Sequence, residues 1–229
     1  MIYKTEKGSE IDLEAATVYI NRPDLVLKVV STIPESIPLH FVQEIGLSKC
    51  ESLKEKIAER KNVFIYEKEQ QGCATDWNYV TRQCKAPWLL LVSSDVAFLP
   101  GCLDATFDMA VANPQIKVWS YKKKNMKAWL YNVEFFWEMG GFDEDYWIGG
   151  EDEDFMWKMM KKGHEFGIFR TFGIDHLEGG AHTRGMTRPI NHIKSTEIQW
   201  KKWGWTNKDQ MKAAVREIET KMRHFWCAK

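Results

Sequence analysis

Three clusters of residues in this 229-residue chain have the types and spacing to do chemistry. The densest is Trp147-Ile-Gly-Gly-Glu-Asp-Glu-Asp-Phe155, preceded by Gly140-Gly-Phe-Asp143. Paired glycines allow a tight turn and close backbone approach. Glu151 and Asp152 then fall at a helix start, where negative charge is favoured. A carboxylate held at a pocket rim can take the proton of an attacking hydroxyl. The plainer alternative is an acidic first helical turn. The second cluster, Ser93-Ser94-Asp95, follows the apolar run Trp88 to Val92. A carboxylate at a strand's carboxyl end can hold a divalent cation that bridges a diphosphate; a polar strand-to-loop boundary is the alternative. The third runs Gly173-Ile-Asp-His176-Leu-Glu-Gly-Gly-Ala-His182-Thr-Arg184. His176 could complete a cation site with Asp95, and Arg184 could meet a phosphate. A structural histidine is the alternative there.

The elements around these residues alternate. Ala15 to Ile20, Leu39 to Val42, Val63 to Tyr66 and Trp88 to Val92 read as strands. Between them, Leu25, Val26, Val29, Val30 and Ile33 have the spacing of one helical face. Ser48 to Lys61 and Thr75 to Lys85 also have helical character. Strands spaced by helices predict a parallel, doubly wound sheet. In such sheets ligands bind beyond the carboxyl ends of the strands. Asn21, Glu44 and Ser93-Ser94-Asp95 occupy those ends. Further on, Pro100-Gly101 opens a helix to Ala112, and Val118 to Tyr121 is a strand candidate. Asp152 to Lys162 begins acidic and ends Lys-Lys-Gly, as a helix should. At the C-terminus, Thr206 with Asp209 resembles a capping box. Met211, Val215, Ile218, Met222 and Phe225 form one predicted apolar helix stripe.

Composition bounds the partners. Formal net charge is zero and 44% of residues are hydrophobic, which excludes a uniformly basic binder and a disordered chain. Ala128 to Trp157 carries nine acids and no Lys or Arg, whereas the last 45 residues carry ten Lys or Arg against four acids. That asymmetry points to a cation site in one region and an anionic partner for the other. Five cysteines without CxxC spacing read as reduced thiols. The first residues lack a signal peptide's apolar stretch, and no apolar run approaches the ~18 residues of a membrane span. A cytoplasmic protein without membrane association is the expectation.

Taken in order, Tyr19-Ile20-Asn21, Gly72 to Asn78, LLLVSSDVAFLPG, GGFDE, GGEDEDF and His176 resemble the inverting GT-A glycosyltransferases. The pattern is similar to the bacterial family-2 enzymes, and its GGED portion also resembles the beta-1,4-galactosyltransferases. The resemblance implies a GT-A, Rossmann-like, mostly parallel sheet flanked by helices over residues 1–184, with a basic, Trp-rich helical extension of the same domain over 185–229. It implies a nucleotide-sugar donor, with uracil as the base, and Mn²⁺ or Mg²⁺ as cofactor. By position, Asn21 and Glu44 would hold base and ribose, and Gly72 and Asn78 would lie under the nucleotide. Ser94, Asp95 and Arg184 would meet the rest of the donor. Asp95, the last acid of the family's Asp-x-Asp motif, and His176 would be the metal ligands. Asp152 would be the general base and Glu151 its positioning neighbour, with Trp147, Gly149 and Gly150 against the acceptor. One departure stands out: the first acid of the metal motif is Ser93 here.

Other classes fit less of the chain. A sugar nucleotidyltransferase wants a glycine-rich phosphate loop after the first strand, and Arg22-Pro23-Asp24 offers none. A non-catalytic metal- or saccharide-binding module would use the same acids, which lack the EF-hand pattern. For the acceptor, Trp200, Trp203, Trp205 and Trp226 among C-terminal basic residues, with Lys122, Lys123, Lys124 and Lys127, suggest phosphate neutralisation and base stacking. The chain is similar in this to phage GT-A enzymes that glycosylate hydroxymethylated cytosine in double-stranded DNA, which would place it in a host cytoplasm. A saccharide or surface polysaccharide is the alternative acceptor. So is the view that these tryptophans are core and these lysines a solvated helix face.

Overall fold

Alternate residues of the Trp88–Ser93 strand enter opposite cores: Leu90 and Val92 join one, Leu89 and Leu91 the other. A strand covered on both faces must be apolar throughout, which is why WLLLV shows no polar alternation. The computed structural model describes residues 1–19, 23–45, 51–69, 71–121, 127–147, 149–170, 173–177 and 188–226. In chain order the elements are β1 (Ile2–Lys4), β2 (Glu10–Tyr19), α1 (Pro23–Ser31), β3 (Leu39–Ile45), α2 (Glu51–Ala58), β4 (Val63–Glu69), α3 (Cys73–Gln83), β5 (Trp88–Ser93), β6 (Val96–Phe98) and α4 (Cys102–Ala112). There follow β7 (Val118–Tyr121), β8 (Ala128–Asn132), α5 (Val133–Glu138), α6 (Glu151–Lys161), β9 (Phe166–Arg170), β10 (Ile174–His176), α7 (Arg188–Trp203), α8 (Lys208–Thr220) and β11 (Met222–Trp226).

Nine strands form one sheet in the order β11-β9-β7-β8-β5-β2-β3-β4, with β1 paired on β2. β5, β2, β3 and β4 run parallel, so their carboxyl ends share one edge. β8 is antiparallel to both β5 and β7. A second ribbon pairs β10 antiparallel with β6. Helices α1, α2 and α4 bury apolar side chains on one face; α3, α5, α6 and α8 do so on the other. Each fully buried Leu, Val or Phe in these layers contributes about 1.5–3 kcal/mol. This is the α/β, mostly parallel architecture that the strand and helix spacing implied. Among the described residues, no helix is long and apolar enough to cross a membrane.

The C-terminus departs from expectation. The last helix stops at Thr220, and Met222–Trp226 is a strand paired parallel with β9. Met222 and Phe225 therefore do not extend the helical stripe. Their spacing suits one helical face, but in the strand they point to opposite faces, Met222 against one core and Phe225 against the other. The otherwise unpaired edge of β9 decides for strand. The cap also differs. Asn207 is the N-cap, accepting from the Asp209 and Gln210 amides at 3.1 and 3.0 Å, while Thr206 bonds Gln210 instead.

Candidate active site

Two groups of residues lie at the carboxyl edge of the parallel strands. The first forms where β5 ends. Ser93 Oγ donates to Asp95 Oδ1 at 2.6 Å, and Asp95 is buried. The β6–β10 ribbon sets Val96 opposite His176 and draws the Leu177 amide onto the Asp95 carbonyl at 2.8 Å. That register brings His176 Nε2 to 2.7 Å from Asp95 Oδ2. Lys127 completes the group. Its carbonyl accepts from the Ser93 amide at 2.7 Å, and its Nζ lies 2.6 Å from His176 Nδ1. With Nζ an ammonium donor, Nδ1 is the accepting nitrogen and Nε2 carries the proton shared with Asp95.

Asp95 and His176 have the donor types for a cation: one carboxylate oxygen and one imidazole nitrogen, which would have to give up the proton between them. Mg²⁺-type sites take one or two carboxylates with phosphates supplying the rest. Among the described residues no group of three His, Cys, Asp or Glu could hold a metal. The Ser93 hydroxyl, where the family pattern has an acid, bonds to Asp95 instead. A substrate diphosphate would have to complete the coordination.

The second group forms between β4 and α6. Gly72, after β4, has φ of 98°, and a Cβ there would lie 2.6 Å from the Trp147 carbonyl. Only glycine lets the start of α3 approach this loop, and the Cys73 amide donates to Trp147 O at 2.7 Å. The Trp147 side chain stays 43% exposed. Gly149 and Gly150 have φ of 81° and 97°, and Gly150 is the N-cap of α6. Gly150 packs closely on Tyr146: a Cβ there would lie 3.0 Å from the ring, so a side chain would crowd it. Behind the glycines Glu151 is buried, and its Oε2 has no hydrogen-bond partner among the described residues. Burial first, then the Asp152 charge, pushes its carboxyl up to about 8. Asp152 is half-buried, and its Oδ1 accepts the Glu153 amide at 2.9 Å.

Other expected site residues have further contacts or lie outside the described residues. Asn78, expected under a nucleotide, has a structural part. It is buried, and its side chain clamps the GGFDE loop: Nδ2 donates to Phe142 O and Glu144 Oε1, each at 2.8 Å, and Oδ1 accepts the Phe142 amide at 3.0 Å. Ser94 is buried in the β5–β6 turn. Glu44 is placed by its register opposite Lys68. Asn21, Arg184 and Lys122 to Lys124 lie outside the described residues. Lys127, expected in a DNA-facing cluster, is at the Asp95 site. Two of the tryptophans expected to stack on bases pack internally: Trp203 and Trp205 meet the Trp157 ring edge-on at 5.8 and 5.6 Å. Sequence reasoning also missed the contacts of Gln199 and Lys202, which reach Gly150 and the GGFDE loop from α7. No local pattern marks either one.

No known family's sequence profile matches the chain, and no curated protein sequence does. Solved structures do match. The mannosyltransferase PcManGT from Pyrobaculum calidifontis, in complex with GDP-Man and Mn²⁺, superposes with TM-score 0.67 over 94% of this chain and 69% of its own, at 15% identity. S. aureus TarS 1–349 gives 0.55 at 13% identity, over 65% of this chain. GalNAc-T7 with UDP, GalNAc and Mn²⁺ gives 0.55 at 13% identity, over 67%. The chain spans 55% of the TarS fragment and 41% of the GalNAc-T7 chain. The protein thus has the α/β fold of the GT-A glycosyltransferases.

Proposed function

We propose that this chain is a glycosyltransferase that moves a sugar from a nucleotide-sugar donor to an acceptor hydroxyl. The observation that carries this is a single sheet edge bearing both the Asp95–His176 pair and the Gly-Gly-Glu-Asp helix start, on the fold of enzymes crystallised with nucleotide-sugars. The acceptor oxygen attacks the anomeric carbon while Asp152 takes its proton. The bond from that carbon to the diphosphate breaks, its electron pair leaves with the diphosphate, and the configuration inverts. Glu151, with its carboxyl near 8, is protonated at neutral pH and can donate a hydrogen bond to a sugar hydroxyl. Asp95 and His176 would hold Mn²⁺ or Mg²⁺, which when bound neutralises charge on the leaving diphosphate. Lys127 adds a protein cation beside them. By the family resemblance the donor carries UDP.

For the acceptor, 5-hydroxymethylcytosine in DNA is supported by the exposed Lys194, Lys201, Lys208, Lys212 and Arg216 on α7 and α8. A saccharide is supported by the exposed Trp147 beside the glycine loop and by the internal packing of Trp203 and Trp205. Incubation with UDP-sugars and Mn²⁺ tests both. Sugar transfer to hydroxymethylated but not unmodified DNA, weakening steeply with salt, supports the first. Transfer to saccharides alone supports the second. Neither transfer nor donor hydrolysis across a panel of UDP- and GDP-sugars would leave a binding module.

A further inference from the structure

Helix α7 turns one face onto both glycine-pair loops. Gln199 is buried, and its Nε2 donates to Gly150 O at 3.3 Å. Lys202 and Trp203 follow on the same face, three and four residues on. Lys202 Nζ donates to Asp154 Oδ2 and Trp203 Nε1 to Asp154 Oδ1, both at 2.9 Å. The same Lys202 ammonium donates to Asp143 in the GGFDE loop. Lys158 closes the set, 3.0 Å from Asp154 Oδ2 and 3.3 Å from Gly141 O. The Asp154 side chain has no exposure to solvent. Burial would raise the Asp143 carboxyl, but the Lys202 bond and charge outweigh it and hold it below the usual range. Burial likewise works against Lys202, and its bonds to Asp143 and Asp154 outweigh that and raise it.

Lys202 is thus the one α7 side chain among those described that bonds both Asp143 in the GGFDE loop and Asp154 in the first turn of α6. The loops need such a tie. Gly140, Gly141, Gly149 and Gly150 all have left-handed φ and no side chain to fix their shape. Asp154 lies two residues beyond Asp152 on the same helix start, so a shift of α6 at Asp154 moves Asp152. We propose that Lys202 is a positioning residue: by bridging Asp143 and Asp154 it holds the Asp152 carboxylate in the one orientation that meets the acceptor hydroxyl. This rests on Asp152 being the base.

Lys202→Met keeps the stem and removes the charge; Lys202→Arg keeps the charge. Tm, UDP affinity with Mn²⁺ by calorimetry, kcat and donor KM are measured for each, at a temperature where all are folded. The expected result for Lys202→Met is a kcat about 10- to 100-fold lower, since small misplacements cost that much. UDP affinity and donor KM stay unchanged, and Lys202→Arg recovers most of the kcat. A lower Tm with unchanged kcat would overturn the proposal, leaving Lys202 as a staple of the fold. If Lys202→Met does not fold, Trp203→Phe removes only the indole donor to Asp154. A kcat loss at constant UDP affinity supports the proposal, and an unchanged kcat overturns it. Asp152→Asn separates the two layers. Full turnover by that variant removes the base itself. Its inactivity beside a fully active Lys202→Met removes only the positioning role.

Discussion

At the end of β5 the polar atoms are paired: Ser93 on one Asp95 oxygen, His176 on the other, Lys127 on His176. At the start of α6 one is not. Glu151 Oε2 is buried with no hydrogen-bond partner among the described residues, next to a second carboxylate, and Trp147 is left exposed. Both lie at the same edge of the same sheet. A paired cluster is stable at rest and is poised for charge that arrives with a ligand. An unpaired buried carboxyl is costly at rest, and a ligand hydroxyl can relieve that cost. Under the proposed reaction the first group would meet the donor's diphosphate, and the second the sugar and acceptor.

Breaking the second group should have the largest effect on rate alone. Asp152→Asn should lower kcat about 10²–10⁴-fold, the span of a general base, with UDP affinity by calorimetry retained. Breaking the first group should act on binding as well. Asp95→Ala should weaken UDP affinity and lower kcat together, and EDTA should stop turnover until Mn²⁺ or Mg²⁺ is restored. Full activity in chelator would remove the metal and leave Lys127 as the lysine of that cluster among the described residues.

Titration sharpens the contrast. Glu151 is pushed up to about 8 in the folded chain from an ordinary 4.5. A raised folded value means that its contribution to stability is fully present below about pH 4.5 and is lost as pH climbs through 8. Glu151→Gln should therefore raise Tm relative to wild type at pH 9 and change it least at pH 4. The same variant keeps a donor, so the alkaline limb of kcat near pH 8 should vanish while activity persists. A limb that survives in Glu151→Gln belongs to another group. The smallest expected effect on catalysis is at Asn78. Asn78→Ala strands the buried Phe142 amide and carbonyl, costing about 1–3 kcal/mol for each unsatisfied group. Stability in urea should fall while UDP affinity of the folded protein holds. A selective loss of UDP affinity would return Asn78 to the donor site.

Much of the frame was legible because its signals are local. Apolar runs with β-branched residues marked β2 to β5, helical spacing marked α1, and paired glycines before acids marked the turn into α6. Asp95 at a strand end and Glu151-Asp152 at a helix start follow from the same signals. What the sequence could not decide depends on register and docking between distant segments. Lys127 and His176 are 49 residues apart, and meet because Val92 pairs with Ala128 while Val96 pairs with His176. Lys202 and Asp143 are 59 apart, joined only when α7 lies against α6. Asn78, expected at the donor from its motif, also clamps a loop through partners 64 and 66 residues on, which the motif did not show. Met222 to Trp226 kept a helical spacing, yet the open edge of β9 offered backbone partners that a continued helix would have left unpaired. Periodicity and turn chemistry set which segments fold as strands and helices. The order of strands and the seating of one helix set which charges meet, because such pairings require separate segments to be brought together and leave no local pattern in the sequence.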